Sequence, residues 1–142
     1  MEEARQHTSV KISKRQIVDA GWDVTRRLTF SHAVKKGNML FLSGLIGKVD
    51  EKGKVISVGD IAAQTREIYE KVAIILEKAG ATFDDVVKTT DYITTFENYK
   101  YTADVRREFF GEPFPAATGI LIRGLLRKDA LIEIDVIAVL DK

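Results

Sequence analysis

Between Ile61 and Ala79 the apolar residues Ile61, Ile68, Val72, Ile75, Leu76 and Ala79 recur with the period of a helix that buries one stripe. Asp60 stands where an N-cap belongs, and Gly80 where a left-handed residue ends a helix. A second helix is predicted over about Tyr99 to Phe110, stopping at Gly111. The segment Thr82-Phe83-Asp84-Asp85 reads as a turn capped by Thr82.

Strand patterns occupy most of the remainder. Thr29–Lys35 and Met39–Leu45 flank Lys36-Gly37-Asn38, a hairpin turn. Val86–Thr95 reads as a strand, as do Ala117–Leu125 and Leu131–Leu140, the last two separated by the charged turn Arg127-Lys128-Asp129. Glu51-Lys52-Gly53-Lys54 is another tight turn, and both prolines, Pro113 and Pro115, fall in one loop. The order is β-β-α-β-α-β-β. Strands and helices do not alternate strictly, so the expected class is α+β, a mixed sheet with helices on one face. The first dozen residues read as a loosely held arm, and residues 1–142 as a single domain.

The last strand is the most informative. Ala130, Ile132, Ile134, Val136, Ala138 and Leu140 share one face; Leu131, Glu133, Asp135, Ile137 and Val139 share the other. The first face suits a cover of helices. The second is also apolar apart from two carboxylates, so it needs a cover of its own, and another subunit is the economical one.

Composition narrows the function classes. Of 142 residues 45% are hydrophobic and 30% charged, and 22 basic against 21 acidic residues leave a net charge of +1. That balance speaks against DNA, RNA or an anionic membrane as a partner. There is no cysteine, which excludes disulfides, thiolate metal sites and a cysteine nucleophile. The charged N-terminus lacks a signal peptide's apolar run, and no stretch is apolar for long enough to span a bilayer. A cytoplasmic protein is expected.

Chemistry has few candidates. Glu133 and Asp135, two residues apart on one strand face, could have separated pKa values if poorly solvated, leaving one as an acid or base. The structural alternative is an ion pair with Arg123 or Lys48, or plain exposure. His7 and His32 are the only histidines, without metal-ligand spacing, so no metal is expected. Ser43-Gly44 closes an apolar strand, either as a packing point or as a place where backbone meets a ligand. No nucleophile elbow or phosphate loop occurs.

Four segments together resemble the Rid (YjgF-type) family: GNMLFLSG at 37–44, AAQTREIYEKVAIILEKAGATFDDVVKTTDYIT at 62–94, FPAATG at 114–119 and IEIDVIAV at 132–139. The resemblance implies a chorismate mutase-like fold whose sheets close into a central barrel in a homotrimer. It implies enamine or imine deamination without a cofactor, in a cleft between subunits. There an arginine clamps the substrate carboxylate and a glutamate positions water. The glutamate corresponds to Glu133. The arginine corresponds to Ala117, so the clamp is missing; an alanine makes no bidentate contact. A cysteine common in the family corresponds to Gly119, and a tyrosine of the first strand to Phe30. Phe30, Ser43, Gly44, Ala117, Thr118, Gly119 and Arg123 are thus the expected substrate-binding residues, with Glu133 catalytic and set close to Ala117 and Gly119 on an adjoining strand. Arg123, Arg106 and Arg107 are candidates to replace the clamp. A trimer that binds a small metabolite without turnover is the second reading; a role in RNA cleavage or translational inhibition is the third.

Overall fold

A computed structural model describes residues 14–22 and 28–141; the expected N-terminal arm lies outside them. Six strands form one sheet in the order β1-β2-β3-β6-β4-β5. They are β1 (Gln16–Val18), β2 (Ala33–Lys36), β3 (Met39–Leu45), β4 (Val86–Ile93), β5 (Ala116–Leu121) and β6 (Ile132–Val139). All neighbours pair antiparallel except β4 and β5, which run parallel. Helix α1 (Ile61–Ala79) joins β3 to β4, and helix α2 (Thr102–Phe109) joins β4 to β5.

Helix α1 spans the expected residues because both ends carry strong signals. The Asp60 carboxylate accepts from the Ala63 amide, and Gly80 adopts φ 77° while its amide donates to Glu77. The apolar stripe is buried, and with it Gln64, Thr65 and Tyr69. Gln64 is fully buried because its amide group is used up. Nε2 donates to the Ser57 and Asp129 carbonyls at 3.0 Å each, and Oε1 accepts from the Leu131 amide at 2.9 Å. One side chain thereby fastens the loop before α1 to the turn before β6.

The second helix differs from its expectation in form. Residues Tyr99–Tyr101 make a tight 3-10 turn and α2 proper begins at Thr102, whose hydroxyl donates to the Tyr99 carbonyl. The rings of Tyr69, Phe83, Phe109 and Phe110 pack with centroids 5.2 to 6.3 Å apart, locking α2 and its flanks onto α1.

Three strand expectations change. The short strand β1 was not foreseen. The strand expected from Thr29 starts only at Ala33, so Phe30 sits in an irregular segment before it. Strand β5 ends at Leu121 rather than Leu125. It is an edge strand, exposed along its whole length, so no alternation of burial marks its limits.

Strand β6 lies in the centre of the sheet. Ile132, Ile134, Val136 and Ala138 are buried in the core that both helices share, and Glu133, Asp135, Ile137 and Val139 point to the opposite face. That face stays apolar toward β3, whereas β4 brings Lys88, Thr90 and Tyr92 to it. Phe41 and Met39 pair with Ile137 and Val139 and remain exposed, as does Ile120 on β5.

Candidate functional site

The site is built where β3 meets β6. Their register is regular up to Leu42 opposite Val136 and resumes at Leu45 opposite Ile134, so Ser43 and Gly44 occupy a bulge. Ser43 fixes the preceding segment there: its hydroxyl donates to the Ser31 carbonyl at 2.6 Å, and its amide to the His32 carbonyl at 2.8 Å. Gly44 then serves as the floor for the Glu133 side chain. A Cβ at Gly44 would stand 2.8 Å from the Glu133 carboxyl carbon and closer still to Oε2. Glycine is thus required by the approach of a carboxylate, not by an unusual φ.

The two carboxylates of β6 differ. Tyr92 donates its hydroxyl to Asp135 Oδ2 at 3.1 Å, so Asp135 is engaged. Glu133 is half-buried and makes no hydrogen bond or ion pair among the described residues. Its pKa is raised above the ordinary glutamate value, first by desolvation and then by the charge of Asp135. Lys48 pairs with Glu70 at 3.1 Å instead, and Arg123 lies exposed beyond the end of β5. The structural alternative of a Glu133 ion pair is therefore absent among the described residues.

The expected neighbourhood of Glu133 needs correction. Strand β4 separates β6 from β5, so Ala117 and Gly119 are not on an adjoining strand. They also face the other way. Glu133 pairs with Tyr92 and Tyr92 with Ile120, a row on the open face, whereas Ala117 and Gly119 pair with Thr89 and Asp91, both buried on the helix side. Thr118 shares the open face with Thr90 and Asp135. The pleat alone forbids one chain from uniting Glu133 with Ala117 and Gly119. Phe30 is exposed on the segment that Ser43 ties down.

The helix side of β4 and β5 holds a polar cluster that the sequence did not disclose. Asp91 is 5% exposed and accepts from the Tyr99 hydroxyl at 2.7 Å. Arg106 donates to Tyr69 at 2.9 Å and to Thr89 at 3.0 Å and stacks on Phe110. It is a strut inside the molecule, not a free cation, and Arg107 pairs with Asp104. A run of alternating apolar and polar residues hides such a cluster, because its members come from α1, β4, α2 and the 3-10 turn before α2.

His32 is buried edge-on against Trp22, with centroids 4.5 Å apart, and burial lowers its pKa. Among the described residues no three His, Asp or Glu side chains gather as a metal site.

A mixed six-stranded sheet of this order with two crossover helices makes this a small α+β protein. The structure of a YjgF/YER057c/UK114 family member from Mycobacterium tuberculosis superposes with a TM-score of 0.75 at 30% identity, covering 89% of this chain and all of that one. The family model described as endoribonuclease L-PSP matches residues 24–140. This chain belongs to that family, the YjgF or Rid family. A RutC family protein of Pyrococcus horikoshii is 41% identical over 77% of this chain and 85% of its own length. A 3-aminoacrylate deaminase, RutC, of Acinetobacter baylyi is 37% identical over 75% and 82%.

Proposed function

We propose that this protein is a cofactor-independent deaminase that hydrolyses an enamine or imine of a small metabolite, working in clefts between the subunits of a homotrimer. The observation that carries the reading is the contrast on β6: Asp135 is held by Tyr92, while Glu133 is left unpaired, half-buried and less acidic than usual. Such a carboxylate can accept a hydrogen bond from water and take its proton as the oxygen attacks the imine carbon. The water oxygen becomes bonded to that carbon, the nitrogen gains protons, and collapse of the carbinolamine breaks the C–N bond, releasing ammonia and a carbonyl product. An imine is already electrophilic, so orientation and proton handling supply most of what the reaction needs.

The trimer reading follows from the same strand. Phe41, Met39, Ile137, Val139 and Ile120 form an apolar open face that three sheets would bury in a central barrel. Because Ala117, Gly119 and Glu133 face opposite ways, the cleft takes Glu133 from one subunit and β5 from the next. Phe30 and the Ser43-Gly44 bulge join on the Glu133 side, with Thr118 and Arg123 at the rim. Ala117 in place of a clamp arginine shifts substrate choice away from carboxylate-bearing imines. The loss of one charged contact is worth about one to two decades in rate. Ala117 also favours the second reading, a trimer that binds a metabolite without turning it over.

Ammonia release from a panel of imines, with and without carboxylates, separates the two. The expected result is turnover that Glu133→Gln lowers by about a hundredfold or more while the variant stays folded and trimeric. Release no faster than in buffer across the panel would leave only the binding role.

A further inference from the structure

The polar cluster on the helix side of β5 has a free acceptor at its end. Asp91 and Gly119 are direct partners across β4 and β5. The Tyr99 hydroxyl occupies the space above Gly119: a Cβ there would lie 2.9 Å from it. Any other residue at 119 would push the hydroxyl away. Tyr99 is only half-buried, so the ring lies partly at the surface beside the exposed Ala117 and Gly119. Its proton goes to Asp91 Oδ2, which leaves lone pairs on the phenol oxygen. Asp91 Oδ1 has no hydrogen-bond partner among the described residues, although the residue is almost wholly buried. Arg106 is nearby, but its Nη1 is directed to Tyr69 and Thr89.

We propose that the Tyr99 hydroxyl, seated over Gly119 and held by Asp91, is a specificity contact that reads a hydrogen-bond-donating nitrogen on the ligand, an ammonium or amidinium group. The inference rests on the reading that β5 lines the cleft, and it supplies the chemistry that Ala117 leaves open. The atom on offer, the phenol oxygen, is an acceptor, and the buried Asp91 carboxylate stands behind it. A carboxylate brought here would meet a phenol whose proton is already committed and a buried carboxylate behind it, while the Nη1 of Arg106 is turned to Tyr69 and Thr89. A cationic nitrogen donates to the phenol oxygen and is attracted by Asp91. The phenol itself stays neutral: burial, then its bond to Asp91, raises its pKa.

The test uses isotopically labelled full-length protein titrated with benzylammonium, benzoate and benzamide. Backbone amide resonances of Ala117 to Gly119 are followed. Benzylammonium is expected to shift them saturably and benzoate to leave them unmoved. Tyr99→Phe, which keeps the ring, should weaken benzylammonium binding about tenfold or more. Asp91→Asn should weaken it as well. Gly119→Ala should do so with the hydroxyl still present, by displacing it. Benzoate binding as well as benzylammonium, no shift with benzylammonium, or unchanged affinity in folded Tyr99→Phe and Gly119→Ala proteins would overturn the proposal. The last result would mean that the cluster only braces α2. The two readings fail separately. Tyr99-dependent benzylammonium binding without turnover of any imine leaves this inference standing and removes the deaminase. Turnover whose preference for amine-bearing over carboxylate-bearing imines survives Tyr99→Phe does the reverse.

Discussion

At the scale of single residues, Glu133 and Gly44 form one device. The glycine removes the atom that would displace the carboxylate. Gly44→Ala should leave the fold intact, since Gly44 is exposed and needs no left-handed backbone, yet lower turnover toward that of Glu133→Gln. A loss of activity at unchanged melting temperature is the expected outcome. The pH dependence has a definite sign. Desolvation and Asp135 raise the Glu133 pKa above its ordinary 4.5, and in the proposed mechanism the ionised form is the base. Turnover should therefore rise with pH along a limb displaced upward from that value, and the limb should vanish in Glu133→Gln. Stability moves oppositely: the contribution of a raised carboxyl is full below its unfolded pKa and is lost as pH rises through the folded one. Glu133→Gln should then gain on the parent at neutral pH, with the gap closing in acid. The sequence already put Glu133 and Asp135 on one strand face, because alternation along β6 is unambiguous. It did not say which was engaged, since the deciding hydroxyl, Tyr92, lies 43 residues from Asp135.

At the scale of elements, α1 was legible to the residue because a cap, a stripe and a terminal glycine agree on it. The polar residues on its buried face were not. Gln64 breaks the apolar stripe, and its use emerges only when the 57–60 loop and the turn at Asp129 are folded against it. Gln64→Leu should keep the volume but strand two carbonyls and one amide, costing about 2–4 kcal/mol. A fall of several degrees in melting temperature checks this, and an unchanged melt would contradict it. Strand β1 escaped notice for a related reason: three residues are too few for a period. Strand β5 lies where a strand is expected but is shorter, ending at Leu121. Its parallel pairing with β4 follows from the α2 crossover, and that pairing turned Ala117 and Gly119 away from Glu133.

At the scale of the whole molecule, the open sheet face and the proposed division of the site call for the same assembly. No helix among the described residues is long and apolar enough to cross a membrane. Ile137→Glu would place an unpaired charge in the proposed barrel, and light scattering should give the parent the mass of a trimer and the variant a smaller one. The proposed division of the site allows the most direct test. Glu133→Gln and Ala117→Trp, the latter filling the cleft from β5, should each be inactive. Unfolded together in equal amounts and refolded, they should recover activity. Random mixing in a head-to-tail ring pairs an intact Glu133 with an intact neighbouring β5 at about one quarter of the interfaces. Recovery of ammonia release to roughly that fraction of the parent is the expected result. No recovery in trimers shown by mass spectrometry to contain both chains would contradict a cleft that takes Glu133 from one subunit and β5 from the next.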